Sequence, residues 1–113
     1  MPTIDELFDQ GLTALGEGRH DEAVASFQQV LDQDPRNAEA LRSLGMTYYH
    51  MARWDEAIDA GNKLIELDPE DILARTSLSM YYQKKGLVPE AEHESAQARI
   101  LGWKEQLKSP PPK

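Results

Sequence analysis

Residues 38–71 read AEALRSLGMTYYHMARWDEAIDAGNKLIELDPED, and the same frame recurs on either side of this stretch. Shifted by 34 positions, Leu7 falls on Leu41, Gly11 on Gly45 and Thr13 on Thr47. The same shift superposes Arg19 on Arg53, Asp21-Glu22-Ala23 on Asp55-Glu56-Ala57, and Asp34-Pro35 on Asp68-Pro69. A second shift pairs Leu44 with Leu78, Met46 with Met80, Tyr48 with Tyr82, and Glu56-Ala57 with Glu90-Ala91. A fixed period of this length marks a stacked-repeat architecture, in which each unit buries its apolar face against its neighbours.

Within the quoted unit, Leu41, Leu44, Tyr48 and Met51 recur at three- and four-residue spacing, which places them on one helical face. After a short break, Trp54, Ala57, Ile58, Leu64, Ile65 and Leu67 build a second amphipathic helix. Asp68-Pro69 ends it, because proline has no amide hydrogen and restrains the residue before it. The first unit runs likewise from about Ile4 to Gly16 and from about His20 to Gln33, with Asp34-Pro35 as its stop. Gly16 and Gly18 supply the turn between its helices, and Gly86 that of the third unit. Pro89 falls near the first turn of the sixth helix, where a missing donor costs least. Gly11 and Gly45 on first helices, and Ala23, Ala57 and Ala91 on second helices, let backbones approach closely.

The spacing therefore predicts an all-α chain of six helices in three helix-turn-helix repeats, 4–37, 38–71 and 72–105. Residues 1–108 are expected to form one domain, and the Pro-rich 109–113 a flexible tail.

Composition narrows the function classes. The chain has 113 residues, no cysteine and a formal net charge of −8, distributed as −6 over 4–37, −5 over 38–71, +1 over 72–105 and +2 over 106–113. Phosphate contacts come from Lys and Arg, so this balance argues against a nucleic-acid partner. No run approaches the roughly 20 apolar residues of a membrane-spanning helix. The opening Met1-Pro2-Thr3-Ile4-Asp5-Glu6 does not have the basic-then-apolar pattern of a signal peptide, so a cytoplasmic protein is expected. His20, His50 and His93 lack metal-ligand spacing, and no metal or cofactor is expected. Asp21-Glu22 and Asp55-Glu56 recur at helix starts, where the helix dipole favours negative charge, and so are structural rather than an acid–base pair. With no phosphate loop, nucleophile elbow or zinc motif, no enzymatic activity is expected.

Leu7, Gly11, Ala23, Phe27 and Pro35, then Leu41, Leu44, Gly45, Tyr48, Ala57 and Pro69, resemble the tetratricopeptide repeat family over roughly residues 4–105. The third repeat keeps Leu78, Tyr82 and Ala91 but carries Ser79 and Trp103 at the small and closing positions. The resemblance implies a right-handed α-solenoid that acts as an adaptor, scaffold or assembly factor by holding a partner peptide or helix in a concave groove. Gly61 stands where the family usually has an aromatic, which implies a looser contact there. The groove positions implied by the family are Phe8, Leu12 and Leu15 in the first repeat. In the second they are Arg42, Met46 and Tyr49, and in the third Leu73, Thr76, Met80 and Gln83. Leu12, Met46 and Met80 form a row at the repeat spacing, either open to an apolar ligand or partly shared with the core. Family members that grip acidic chaperone tails use Lys, Asn and Arg at five positions, here Phe8, Leu12, Ser43, Leu73 and Ser77. None of these supplies a cationic donor, so that carboxylate clamp is rejected.

The C-terminal end departs from the pattern. Gln28 and Asp32, and then Asn62 and Glu66, mark a polar outer stripe that becomes Ala96 and Ile100 in the third repeat and continues through Trp103 and Leu107. The last helix is thus expected to run on to about Leu107 with an apolar stripe of its own. That stripe either associates with another chain, a second copy included, or folds back to seal the terminal repeat. An acidic N-terminal end and a mildly basic C-terminal end also leave head-to-tail stacking open.

Overall fold

A computed structural model describes residues 1–108, and the expected tail at 109–113 lies outside the described residues. Those residues form six helices: α1 Ile4–Gly16, α2 His20–Gln33, α3 Ala38–His50, α4 Trp54–Leu67, α5 Ile72–Lys85 and α6 Val88–Lys108. No strand occurs among them. Each helix packs chiefly against its neighbours along the chain, and α1 also meets α3. The result is an open stack of helix pairs with extents of 49 × 36 × 24 Å.

The ends of the helices repeat as faithfully as their faces. Every first helix begins at a side-chain cap, and the three caps lie 34 residues apart. The Thr3 hydroxyl accepts from the Glu6 amide at 3.1 Å, while the Glu6 carboxylate accepts from the Thr3 amide at 3.3 Å. Asn37 accepts from the Ala40 amide at 2.9 Å and Asp71 from the Ala74 amide at 3.0 Å. Each bond satisfies a backbone donor that the first turn leaves without a partner. Second helices lack a side-chain cap at Arg19 and Arg53, and carry Asp-Glu in the first turn instead. There the negative charge meets the positive end of the helix dipole.

The turn between paired helices also has one geometry. The amides of Arg19, Arg53 and Leu87 donate to the carbonyls of Ala14, Tyr48 and Tyr82 at 2.8, 2.9 and 2.9 Å. The residue before each donor adopts the left-handed conformation: Gly18 at φ 77°, Ala52 at φ 58° and Gly86 at φ 88°. Ala52 alone must hold a Cβ in that region, which disfavours the turn by roughly 1–2 kcal/mol.

Inside each pair the backbones approach closely at two equivalent positions, and each repeat fills the gap differently. A Cβ on Gly11 would lie 2.5 Å from the Phe27 ring, so glycine makes room for that aromatic. In the second repeat both positions are glycine, Gly45 and Gly61. The looser contact expected at Gly61 does not occur, because the next repeat fills it: a Cβ there would sit 2.7 Å from Leu78 Cγ, and one on Gly45 3.2 Å from the Tyr81 hydroxyl. Leu78 is completely buried. In the third repeat the two positions are Ser79 and Ser95, whose hydroxyls lie 2.6 Å apart, and the Ser79 hydroxyl also bonds the Ala91 carbonyl at 2.9 Å. No buried side-chain nitrogen or oxygen among the described residues is left without a hydrogen-bond partner.

Urea unfolding of single and paired variants checks these contacts. Gly86→Ala is expected to lose about 1 kcal/mol by urea unfolding, whereas Ala52→Gly gains about 0.5 kcal/mol, strain relief being partly offset by unfolded-chain entropy. Gly61→Ala is expected to lose about 1–3 kcal/mol through overpacking. Combined with Leu78→Ala, it costs less than the two single losses added, since both changes act on the same contact.

Candidate functional site

The expected groove residues, carried by the first helices α1, α3 and α5, lie at different depths. Phe8, Leu15, Tyr49 and Met80 are half-buried and pack against the main core cluster around Phe27, Leu44, Tyr48 and Leu78. Leu12 and Met46 stand above them, 42% and 38% exposed, and Leu73 is more exposed still. The row Leu12–Met46–Met80 therefore has two open members and one half-buried member. Aromatic rings stiffen its middle: Tyr49 lies 5.6 Å from Trp54 and 5.7 Å from Tyr81, centroid to centroid. Burial pushes the pKa of the Tyr81 phenol above its ordinary value, so it stays a neutral hydroxyl at physiological pH.

Arg42 is not a free cation of this face. Its guanidinium donates to both carboxylate oxygens of Asp71, at 2.7 and 3.4 Å, and Asp71 is itself the cap of α5. Burial opposes ionisation of this carboxyl. The Arg42 bond and the Ala74 amide outweigh it and hold Asp71 below the ordinary carboxylate value. Thr76 returns its hydroxyl to the Ile72 carbonyl at 3.0 Å, and Gln83 is exposed. Thr76, Met80 and Gln83 also line a cleft of about 390 Å³ with Ser79, Ser95, Ala98 and Arg99, at the end of the stack that would receive another repeat. The third-repeat positions thus open onto the end of the solenoid as well as onto the row.

Two features had no counterpart in the sequence reading. A cleft of about 290 Å³ lies between α2 and α4 over α3, lined by Gln28, Leu31, Asp32, Leu44, Tyr48, Glu56, Asp59 and Lys63 among others. Gln28 donates to the Tyr48 hydroxyl across it at 3.2 Å. The second feature is an ion pair at the joint of α5 and α6, Arg75 to Glu94 at 3.0 Å, with side chains only 15% and 10% exposed. Arg75 also donates to the Pro69 carbonyl at 3.1 and 3.3 Å, tying the loop after α4 to the last helix pair. Neither pair follows the 34-residue period, so repetition carried no signal of it.

On α6, Ala96 is half-buried, while Ile100, Trp103 and Leu107 are exposed, Trp103 by 66% and Leu107 by 87%. The helix is continuous from Val88 to Lys108, so these residues do not fold back over the terminal repeat. No group of His, Cys, Asp or Glu suited to a metal ion occurs among the described residues, and no helix there is long and apolar enough to cross a membrane.

The tetratricopeptide repeat description matches residues 8–72, more than half of the sequence. The chain belongs to the tetratricopeptide repeat family. No curated protein matches it in sequence. Among solved structures it is similar to MamA, with a TM-score of 0.88 and 26% identity over 92% of this chain. The chain spans 61% of the length of that MamA chain. It also shares its fold with the second repeat domain of Spaghetti (RPAP3), solved with the HSP90 peptide SRMEEVD, at a TM-score of 0.80 and 20% identity over 87% of this chain and 91% of that one. A third similar fold is the Yersinia enterocolitica type III secretion translocator chaperone SycD, in an alternative dimer, at 0.82 and 21% identity over 88% and 75% of the two chains.

The Arg42–Asp71 bond sets a pH dependence. A carboxyl held below its ordinary value adds stability that is present at neutral pH and is lost as pH falls through the folded-state value. Arg42→Ala leaves burial as the dominant influence on Asp71. The acid-unfolding midpoint, followed by circular dichroism in moderate urea, is expected to move to higher pH, with about 1 kcal/mol lost at pH 7.

Proposed function

We propose that this protein is a non-enzymatic protein-interaction module whose partner segment, an amphipathic helix or extended apolar peptide, docks on the face formed by α1, α3 and α5. The observation that carries this reading is the exposure of Leu12, Met46 and Leu73 above the half-buried Phe8, Leu15, Tyr49 and Met80. Apolar side chains standing on a floor of core residues present a surface whose burial contributes roughly 1.5–3 kcal/mol per fully covered side chain. Unbranched methionine adapts its shape to varied ligands. The peptide complex of the Spaghetti domain supports such a use of the fold, but the ligand chemistry here is different. Phe8, Leu12, Ser43, Leu73 and Ser77 offer no cation to an acidic tail, and Arg42 is already bound to Asp71. An apolar partner segment fits these residues, and an acidic terminus does not. In this reading residues 1–108 act as one domain, as an adaptor or assembly factor in the cytoplasm, with Thr76 and Gln83 bordering the bound segment.

The alternative is a scaffold built by stacking chains end to end. The cleft at the N-terminal end is lined by Asp9, Gln10, Thr13, Arg19, Glu22 and Ser26 among others, and that at the other end by Thr76, Gln83, Ser95 and Arg99 among others. Gln10 stands where the second and third repeats have Leu44 and Leu78, and Arg99 where the first and second have Leu31 and Ile65. Polar residues at those points suit solvent-facing ends rather than an apolar joint, which favours the groove.

Pull-down from the native host with mass spectrometry identifies the partner, and the same assay tests the site. Leu12→Asp with Met46→Asp, at the two exposed positions of the row, is expected to weaken capture by at least about tenfold at unchanged helicity, as burying a charge in an apolar contact requires. Undiminished capture removes the groove from consideration, and a salt-sensitive increase of mass in light scattering of the isolated chain favours stacking instead.

A further inference from the structure

The last helix has two opposite faces, and only one of them is used within the chain. At about 100° of rotation per residue, Ala91, Glu94 and Leu101 share the buried side of α6. Ala96, Ile100, Trp103 and Leu107 fall within about 60° of one another on the far side. Their spacing of four, three and four residues is that of alternating heptad core positions, a seam rather than a broad apolar face. The helix also outruns its equivalents. α2 and α4 end at Gln33 and Leu67, whose counterpart is Leu101, yet α6 continues to Lys108 because Gly102-Trp103 replaces the Asp-Pro stop. Trp103 and Leu107 therefore stand on a projecting segment roughly 10 Å long.

The seam carries its own charge label. Arg99 lies about 70° to one side of its midline and Lys104 about 70° to the other, with Lys108 farther out beside Lys104. All three are exposed, and Glu105, the acid of this segment, points to the opposite side. In a parallel homotypic pair Arg99 of one helix faces Lys104 of the other, so cation meets cation. The seam is thus poorly suited to a parallel second copy of itself. The first two repeats carry −6 and −5, which repels an anionic membrane, and a narrow seam offers little surface to bury in one.

We propose that the outer face of α6 is a second docking surface, separate from the groove, for an amphipathic helix of another protein with apolar residues at heptad spacing and Glu or Asp flanking them. Ile100, Trp103 and Leu107 supply the affinity. Arg99 and Lys104 select the partner, since exposed ion pairs add little to binding but oppose the wrong charge.

The test uses the full chain and two synthetic helical peptides with Leu at the heptad core positions, one flanked by Glu and the other by Lys, with binding read by fluorescence anisotropy of labelled peptide. The Glu peptide is expected to bind at least about tenfold more tightly than the Lys peptide, and Trp103→Ala to weaken it roughly thirtyfold, as a central aromatic anchor does. Arg99→Glu with Lys104→Glu is expected to reverse the preference, while Met46→Asp leaves it unchanged. All three positions on α6 are exposed, so helicity and urea midpoint stay the same and separate a lost surface from a lost fold. Equal binding of both peptides overturns the proposal, as does loss of binding with Met46→Asp alone. Tighter binding to vesicles of anionic phospholipid, or a dimer that Ile100→Asp dissociates, replaces it with a membrane or a second copy.

Discussion

Close approach of paired helix backbones is the constraint on which the stack depends. Each repeat must bring a first and a second helix near enough that ordinary side chains cannot stand at both crossing positions. Gly11 meets that demand by yielding its volume to Phe27, and Gly45 and Gly61 by yielding theirs to Tyr81 and Leu78 of the following repeat. Ser79 and Ser95 do so by replacing packing with a hydroxyl–hydroxyl bond. The second solution reaches beyond its own repeat, because Leu78 is fully buried only by seating on the glycine of α4. Packing within one unit and packing between units are therefore the same contact. This is the nearest-neighbour coupling expected when a repeat cannot bury its apolar face alone.

Polar joints hold the second half of the chain in register. Arg42 crosses from α3 to the cap of α5, and Arg75 ties the loop after α4 to α6 through the Pro69 carbonyl and Glu94. Removing one partner of a shielded ion pair leaves an uncompensated charge, whereas replacing both with apolar groups is often tolerated. Arg42 joins two first helices through a cap, and Arg75 joins a loop to the last helix pair. The Arg42–Asp71 bond also consumes the arginine that the groove had available. What remains on the α1–α3–α5 face is apolar, with hydroxyl and amide groups at its border.

The helices were legible in the sequence because three independent signals agreed. Apolar spacing, the Asp-Pro stops and glycine at the turns all point to the same boundaries, and α1 and α2 end at Gly16 and Gln33 as read. Exceptions to the period were harder to see. Ala52 occupies a left-handed turn position that looks ordinary in sequence, since alanine gives no sign of φ. Gly61 reads as a gap because a repeat-by-repeat comparison does not show that Leu78 reaches back into it. Arg42 reads as an open groove position because its acceptor, Asp71, is 29 residues away and nothing in the sequence marks the two as partners. Period reveals what repeats share; the contacts between repeats depend on differences.

Those differences concentrate in the outer helix pairs. Gln10 of the first pair stands in place of Leu44 and Leu78, and Arg99 of the last in place of Leu31 and Ile65, so polar side chains line the clefts on both outer faces. Among the described residues the length of α6 beyond Leu101 covers no core, since Trp103 and Leu107 are exposed. The exposed stripe of Ile100, Trp103 and Leu107 lies on α6, and the apolar row of Leu12, Met46 and Met80 on α1, α3 and α5. In the proposed reading these are two surfaces on different helices, so a partner on one leaves the other open.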